Sequence, residues 1–359
     1  MSDAGFGAVC FGTPRRGGEH RPMATGTIVV TVHRSLREMT LKPEDEARLE
    51  TLAAHVVSND GDEPWTQDDL MEHLDPDVRA VITGWGSPKM DLEALAAAPN
   101  LEIVAHAAGS VRPYVDESAW DRGIRVSHAA DVIAEAVAEY SLGAILLALR
   151  GFIGHQETLR AGGWKQASGG SKIGGLLAER RVGVVAASMV GRRVIPLLRA
   201  FTPDVVLYDP FVDEQEAAQL GVELADLDTL MRTSDVVTLH APILPETHHM
   251  IGRRELDLMK PGALFVNCAR AWLVDQDALL DVLAAGRIDA VLDVFDEEPL
   301  PADSPFRDLP NAVLTPHIAG FTLETRARQM GRMVDEIARH FAGEPLRHEI
   351  PRTQVERMA

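Results

Sequence analysis

Short apolar runs alternate along this chain with longer stretches whose apolar positions recur at helical spacing. In the first third, Thr27 to Val32 (TIVVTV) reads as a strand and Pro43 to Val57 as a helix. Further strands are predicted at Ala80 to Thr83, Leu101 to Ala105 and Ile124 to Val126, with a helix over Met90 to Ala97. Strands that alternate with helices pair in parallel, because each crossover helix returns the chain to the same end of the sheet.

The alternation then resumes. A long helix from Ala134 leads into a Gly-rich connection, RAGGWKQASGGSKIGG, and a strand from Arg181 to Val185. Strands follow at Val205 to Tyr208, Val236 to Leu239, Leu264 to Asn267, Ala290 to Val294 and Ala312 to Leu314. This pattern predicts a six-stranded sheet of the dinucleotide-binding kind. Thr322 to Ala342 reads as an amphipathic helix, and the tail GEPLRHEIPRTQVERMA either packs back on the first lobe or frays. The predicted fold class is α/β, with two Rossmann/flavodoxin-like parallel-sheet domains and the dinucleotide-binding domain inserted into the substrate domain. Expected boundaries are a disordered leader over residues 1–24, a substrate-binding domain over 25–132, a dinucleotide-binding domain over 133–320, and a returning helix and tail over 321–359.

Composition narrows the partners. A length of 359 residues suits two domains rather than one core. A net charge of −19 and a pI near 5.1 exclude a nucleic-acid partner, which would need clustered Lys and Arg. Cys10 and Cys268 are too few for a disulfide framework or a metal cluster, which fits a reducing cytoplasm and a metal-free site. The leader lacks the apolar segment of a secretory signal, and Met23 is an alternative start. The most apolar run, Ala136 to Leu149, carries Glu139 and falls short of the roughly 20 residues of a bilayer span. It is expected to be a buried helix, with no membrane partner.

The stretch from Val182 to Asp209 holds the strand, small-residue turn, helix and second strand that bind a dinucleotide. Ala186, Ser188 and Gly191 occupy the three usual glycine places, and Met189 and Val190 complete the turn. The Ser188 hydroxyl can donate to a phosphate. Positive φ at Ala186 would store on the order of 1–3 kcal/mol, whereas negative φ would store almost none. Asp209 stands where an acid accepts hydrogen bonds from a ribose 2′-hydroxyl, which favours NAD over NADP.

Three later segments are VNCARAWLVD (Val266 to Asp275), VLDVFDEEPLP (Val291 to Pro301) and LTPHIAG (Leu314 to Gly320). With SDVVTLHAP (Ser234 to Pro242), VITGWG and HAAGSVRP, they make the chain resemble the D-2-hydroxyacid dehydrogenases from about residue 80 onward. The resemblance implies an NAD-dependent oxidoreductase that interconverts a small D-2-hydroxy acid and its 2-oxo acid. In that chemistry Arg270 clamps the carboxylate or carbonyl through its planar fork, and His317 exchanges the proton with the carbonyl oxygen. Glu298, hydrogen-bonded to the imidazole, fixes its tautomer and stabilises its charged form. The resemblance further implies that Asp293 holds the nicotinamide carboxamide and that His240, Ala241 and Pro242 run beneath the adenosine. Ala269 and Gly320 fall in the same cofactor-facing motifs.

On the substrate side, the backbone of Ala108, Gly109 and Ser110 matches the loop that receives the carboxylate. Trp85 and Arg112 depart from the family pattern. Arg112 either reads a second anionic group or faces solvent, and Trp272 either walls the pocket or packs an interface. A homodimer paired through the dinucleotide domain is implied. Two other readings stay open: a dinucleotide-sensing relative without catalysis, like a corepressor, and hydride transfer from a different donor such as formate or phosphite.

Overall fold

The computed structural model describes residues 26–164 and 174–355. The expected leader, Cys10 and part of the Gly-rich connection lie outside the described residues. Within them the chain builds two parallel sheets. The first has order β2-β1-β3-β4-β5, from β1 (Thr27–Val30), β2 (His55–Ser58), β3 (Val78–Thr83), β4 (Ile103–His106) and β5 (Arg125–His128). The second has order β12-β11-β10-β9-β6-β7-β8. Its strands are β6 (Val182–Val185), β7 (Val205–Tyr208), β8 (Glu223–Leu224), β9 (Val236–Leu239), β10 (Leu264–Asn267), β11 (Asp289–Leu292) and β12 (Ala312–Leu314). Every pairing is parallel, and the central strands are buried along their whole length because helices cover both faces. The strand order reverses between β1 and β3 and between β6 and β9, so both sheets offer a crevice at their C-terminal edges.

The structure differs from the predicted elements at three places. The helix expected over Pro43 to Val57 ends at Thr51, and Val56 and Val57 belong to edge strand β2. The two valines sit at helical spacing from Leu49 and Leu52, yet β-branched side chains fit the edge pairing with β1. The second sheet has seven strands, because the two-residue β8 pairs with β7 and is too short to leave a pattern. The long helix starts at Ala130 and spans 20 residues, enough by length and composition to cross a membrane. It is instead laid along the second sheet, with Val137, Ala138 and Ile145 in that core.

The helix Leu323–Phe341 carries Met330, Met333, Val334 and Ile337 into the core of the first lobe. Beyond it, the Ile350 amide donates to Val126 O on edge strand β5 at 2.8 Å. The fully buried Glu336 carboxylate accepts from the amides of Arg347 and His348 and from the Ser127 hydroxyl. These bonds fasten the chain's last described segment to the first sheet.

Candidate active site

The loops that follow β10, β11 and β12 converge at the C-terminal edge of the second sheet. After β10, the Asn267 side chain accepts from the Ala269 amide and donates to Arg270 O, both at 3.0 Å, which folds the chain sharply and presents Arg270. Arg270 Nη1 donates to Ala269 O at 2.7 Å. Burial pulls the guanidinium below its ordinary pKa, and the negative charge of Glu298 acts in the opposite direction.

After β11, Glu298 Oε1 accepts from the Phe295 amide at 2.9 Å, so the carboxylate is held from its own loop. Its other oxygen, Oε2, lies 2.6 Å from His317 Nδ1. A carboxylate only accepts, so Nδ1 carries the hydrogen and Nε2 is left for another partner. Arg270, Glu298 and His317 line one pocket of about 400 Å³, together with Ile243, Trp272 and Phe295. The three predicted residues thus come together, and Trp272 walls this pocket.

His317 sits at φ 53°, a left-handed conformation unfavourable for a side chain with a Cβ. Asp293, fully buried, holds it there. Its carboxylate accepts from Thr315 Oγ1 at 2.6 Å, the Ile318 amide at 2.9 Å and the Ala319 amide at 2.8 Å. The His317 amide itself donates to Asp293 O at 2.8 Å, and Tyr140 Oη donates to Thr315 Oγ1 at 2.7 Å. Tyr140 was not legible as part of the site from sequence, because no motif marks the contact between the long helix and this loop.

The dinucleotide turn has a related construction. Ala186 adopts φ 74°, so the strained alternative is the one found. Asp209 Oδ2 accepts from the Ala187 amide and Oδ1 from the Phe211 amide, each at 2.8 Å, which ties the turn to the loop after β7. Gly191 permits no substitute, since a Cβ there would meet Ala186 O at 2.1 Å. The amides of Ser188, Met189 and Val190 have no acceptor among the described residues and stand at the start of the helix Gly191–Arg199. Such amides suit a pyrophosphate. His240 packs beneath the turn, fully desolvated, and burial pushes its pKa down to about 3, so it is neutral. Ala241 is buried beside it, and Pro242 O accepts from Thr247 Oγ1 at 2.8 Å.

The first-lobe residues lie across the cleft and do not line that pocket. The amides of Ala108, Gly109 and Ser110, just past β4, have no acceptor among the described residues, as an anion cradle needs. Gly109 and Gly320 both lie against Ile133 of the long helix, which brings the two loops near one another. Arg112 is exposed to solvent. Trp85 has its ring under the guanidinium of Arg326, a residue that sequence reasoning missed. Cys268 is buried and free, and burial pushes its thiol up to about 12, which leaves it unreactive.

The sequence profile of the family described as "D-isomer specific 2-hydroxyacid dehydrogenase, NAD binding domain" matches residues 142–319. A glyoxylate reductase of Thermofilum pendens is 34% identical over 280 residues, which span 76% of this chain and 81% of that one. The chain belongs to the D-isomer specific 2-hydroxyacid dehydrogenases. Its second lobe is an NAD-binding domain, and the free amides and the obligate Gly191 described above fit that cofactor. The D-3-phosphoglycerate dehydrogenase of Methanocaldococcus jannaschii is 34% identical over 283 residues, 78% of this chain and 52% of that protein. The chain therefore spans about half the length of that relative. Among solved structures, a protein of Thermus thermophilus is 30% identical with a TM-score of 0.73, covering 90% of this chain and 99% of that one.

Proposed function

We propose that this chain interconverts a small D-2-hydroxy acid and its 2-oxo acid, with His317 as acid and base, Glu298 as its partner and Arg270 as the substrate clamp. The observation that carries the reading is the His317 Nδ1 to Glu298 Oε2 contact of 2.6 Å inside a pocket that Arg270 shares. When bound, the nicotinamide supplies the hydride to the carbonyl carbon or accepts it back. The protein's own residues do the rest. Arg270, desolvated, offers a bidentate fork to carboxylate and carbonyl oxygens, where low dielectric strengthens the hold. His317 Nε2, free while Nδ1 is engaged by Glu298, gives its proton to the carbonyl oxygen as the hydroxyl forms and takes it back in oxidation. Glu298 keeps the ring oriented and stabilises the imidazolium that oxidation produces.

The amides of Ala108 to Ser110 receive the substrate carboxylate from the first lobe, and Ser188, Met189, Val190, Asp209, Asp293, Ala269 and Gly320 surround the cofactor in this reading. Asp293 retains lone pairs beyond its three loop bonds, enough to accept from the nicotinamide carboxamide. The proposed lobe boundaries near residues 132 and 320 belong to the same reading. So do a cytoplasmic location and a homodimer, the latter supported by the helix Phe152–Arg160, which buries none of its residues and exposes Phe152 and Leu159.

The test is a panel of 2-oxo acids mixed with protein and NADH, followed by absorbance of the reduced cofactor. Turnover that falls on the order of 10³-fold in His317→Asn supports the assignment. Formate or phosphite reducing NAD in place of any hydroxy acid would replace it, and NADH binding without turnover on any acid would favour the sensor.

A further inference from the structure

We infer that Arg326, held between Trp85 and Phe321, receives a second anionic group of the substrate, so that the preferred acid carries a distal carboxylate or phosphate beyond its 2-oxo carboxylate. This rests on the activity proposed above and deepens it. The guanidinium carbon lies 4.0 Å from the centroid of the Trp85 ring and 4.4 Å from that of Phe321. Two aromatic rings against the guanidinium carbon restrict the fork, and its N–H groups are left to make hydrogen bonds. Those groups have no carboxylate partner among the described residues, and Nε is buried with no hydrogen-bond acceptor.

The neighbouring arginines on the same helix each have a carboxylate partner, although Arg332 Nε is likewise buried with no acceptor. Arg328 pairs with Glu135 and Arg332 with Asp131, each at 3.2 Å. In a chain with 54 Asp and Glu against 35 Lys and Arg, a half-buried guanidinium without a counter-ion is a departure that folding alone does not explain. Desolvating a charge is unfavourable unless an opposite charge repays it. Burial pulls this guanidinium below its ordinary pKa with no carboxylate opposing the shift, whereas Glu298 opposes it at Arg270.

Placement in the fold points to the cleft. Trp85 follows the C-terminal end of β3 in the first sheet, and Phe321 follows His317 on the loop after β12 in the second. Arg326 therefore joins the C-terminal edges of both sheets, where open α/β sheets take their ligands. A substrate with its carbonyl at His317 would extend its far end toward the first lobe. An aromatic floor with one restricted fork suits a planar carboxylate or a phosphate equally, so the chemistry named is a distal anion.

The experiment compares kcat/KM with NADH for pyruvate and glyoxylate, which carry one charge, against 2-oxoglutarate, oxaloacetate and 3-phosphohydroxypyruvate. Wild type should prefer at least one of the last three, and that preference tells carboxylate from phosphate. Arg326→Gln should lose on the order of 10²-fold on the preferred acid, mostly in KM, and stay within about threefold on pyruvate. Arg326→Lys should recover part of the loss. Equal loss on singly and doubly charged acids, or a wild type that favours pyruvate, overturns the inference. Melting temperature separates a packing role: Arg326→Gln should melt at or above wild type, and a fall beyond about 5 °C would show that this cation is a structural prop. Titrating 2-oxoglutarate and phosphoglycolate into the protein–NAD+ complex, which has no hydride to give, reads the subsite without turnover, so an inactive protein sinks the proposed activity alone. Tighter binding of either anion to wild type than to Arg326→Gln supports the subsite, and equal binding of both removes it.

Discussion

Replacing Asp293 by Asn is the sharpest probe of how the His317 loop is held. The substitution keeps shape and removes charge. Asp293 Oδ1 accepts from Thr315 Oγ1 and the Ile318 amide, and Oδ2 accepts from the Ala319 amide. An asparagine can keep its oxygen at the first position, but its NH₂ group then faces the Ala319 N–H, donor against donor. Ala319 is 3% exposed and Asp293 0%, so water does not relieve the clash. An orphaned buried donor costs about 1–3 kcal/mol, and two hydrogen bonds that lose their charge assistance cost roughly another 1–2 kcal/mol. Relief of the buried charge offsets little, because three donors already satisfy it. The net loss is about 3 kcal/mol.

His317 stands in a left-handed conformation that disfavours it by about 1–2 kcal/mol, so loosening these bonds releases the residue from its working position. At 1.4 kcal/mol per decade, about 3 kcal/mol depopulates the productive loop on the order of 10²-fold. We expect kcat to fall by that factor, Tm to fall by roughly 6–12 °C, and NADH affinity to fall only a few-fold, because the asparagine oxygen can still accept from the carboxamide. Thr315→Val, which removes one of the three donors, should show a smaller loss of kcat. If Asp293→Asn keeps wild-type kcat and Tm, the positioning argument is wrong. If NADH affinity collapses while Thr315→Val is silent, the carboxamide contact is what Asp293 mainly provides.

Three further outcomes are expected. Ala186→Gly relieves about 1–2 kcal/mol of strain but adds about 0.5–1 kcal/mol of backbone entropy and loses about 0.8 kcal/mol of methyl burial. Tm should therefore stay within about 3 °C of wild type, while calorimetry shows several-fold tighter NADH binding to the relaxed turn; no gain in affinity would discard the idea that turn strain weakens the cofactor. His106 and His240 are both pushed down to about 3 by burial, so the native state refuses protons that the unfolded chain takes below pH 6.5. Their contribution is complete above pH 6.5 and is lost as pH falls toward 3, about 1.4 kcal/mol per pH unit for each. Denaturant midpoints at pH 7.5 and pH 4.5 should therefore differ less in His106→Asn than in wild type, and identical pH dependence would refute the assignment. Phe152 and Leu159 are 51% and 57% exposed, so changing both to Asp should convert a dimer to a monomer in sedimentation velocity, and an unchanged sedimentation coefficient would move the interface elsewhere.

Much of the architecture is written in the chain as short Val, Ile and Leu runs. β7, β9, β10 and β12 have the bounds that the apolar runs predict, because buried parallel strands carry apolar residues on both faces. The edge strands are less legible. β2 is half-exposed and follows a helix after three residues, so its valines extend the helical pattern rather than interrupt it. The Arg270, Glu298 and His317 set was legible because each lies in an ordered segment just past a strand. Arg326 was not, because its distinguishing features are the want of a carboxylate partner among the described residues and its contact with a Trp from the far lobe. Sequence spacing encodes neither.

Backbone strain is the property that only coordinates reveal, and its distribution argues for the location of the site. Among the described residues, the non-glycine positions with positive φ are Ala186 at 74°, His249 at 48° and His317 at 53°. Ala186 forms the dinucleotide turn, and His317 projects into the pocket. The His249 amide donates to Trp272 O at 3.0 Å, and Trp272 lines the same pocket. Each strained residue is over-determined by hydrogen bonds at or beside its own position: Ala186 N to Tyr208 O, His249 N to Trp272 O, and the Asp293 set around His317. Strain that persists under such restraint gathers where geometry is needed for chemistry. A turn that carries alanine at the first glycine place yet keeps the glycine conformation shows that the surrounding sheet, rather than the local residue, dictates the turn. That is also why a dinucleotide turn with a single glycine could be read as one at all.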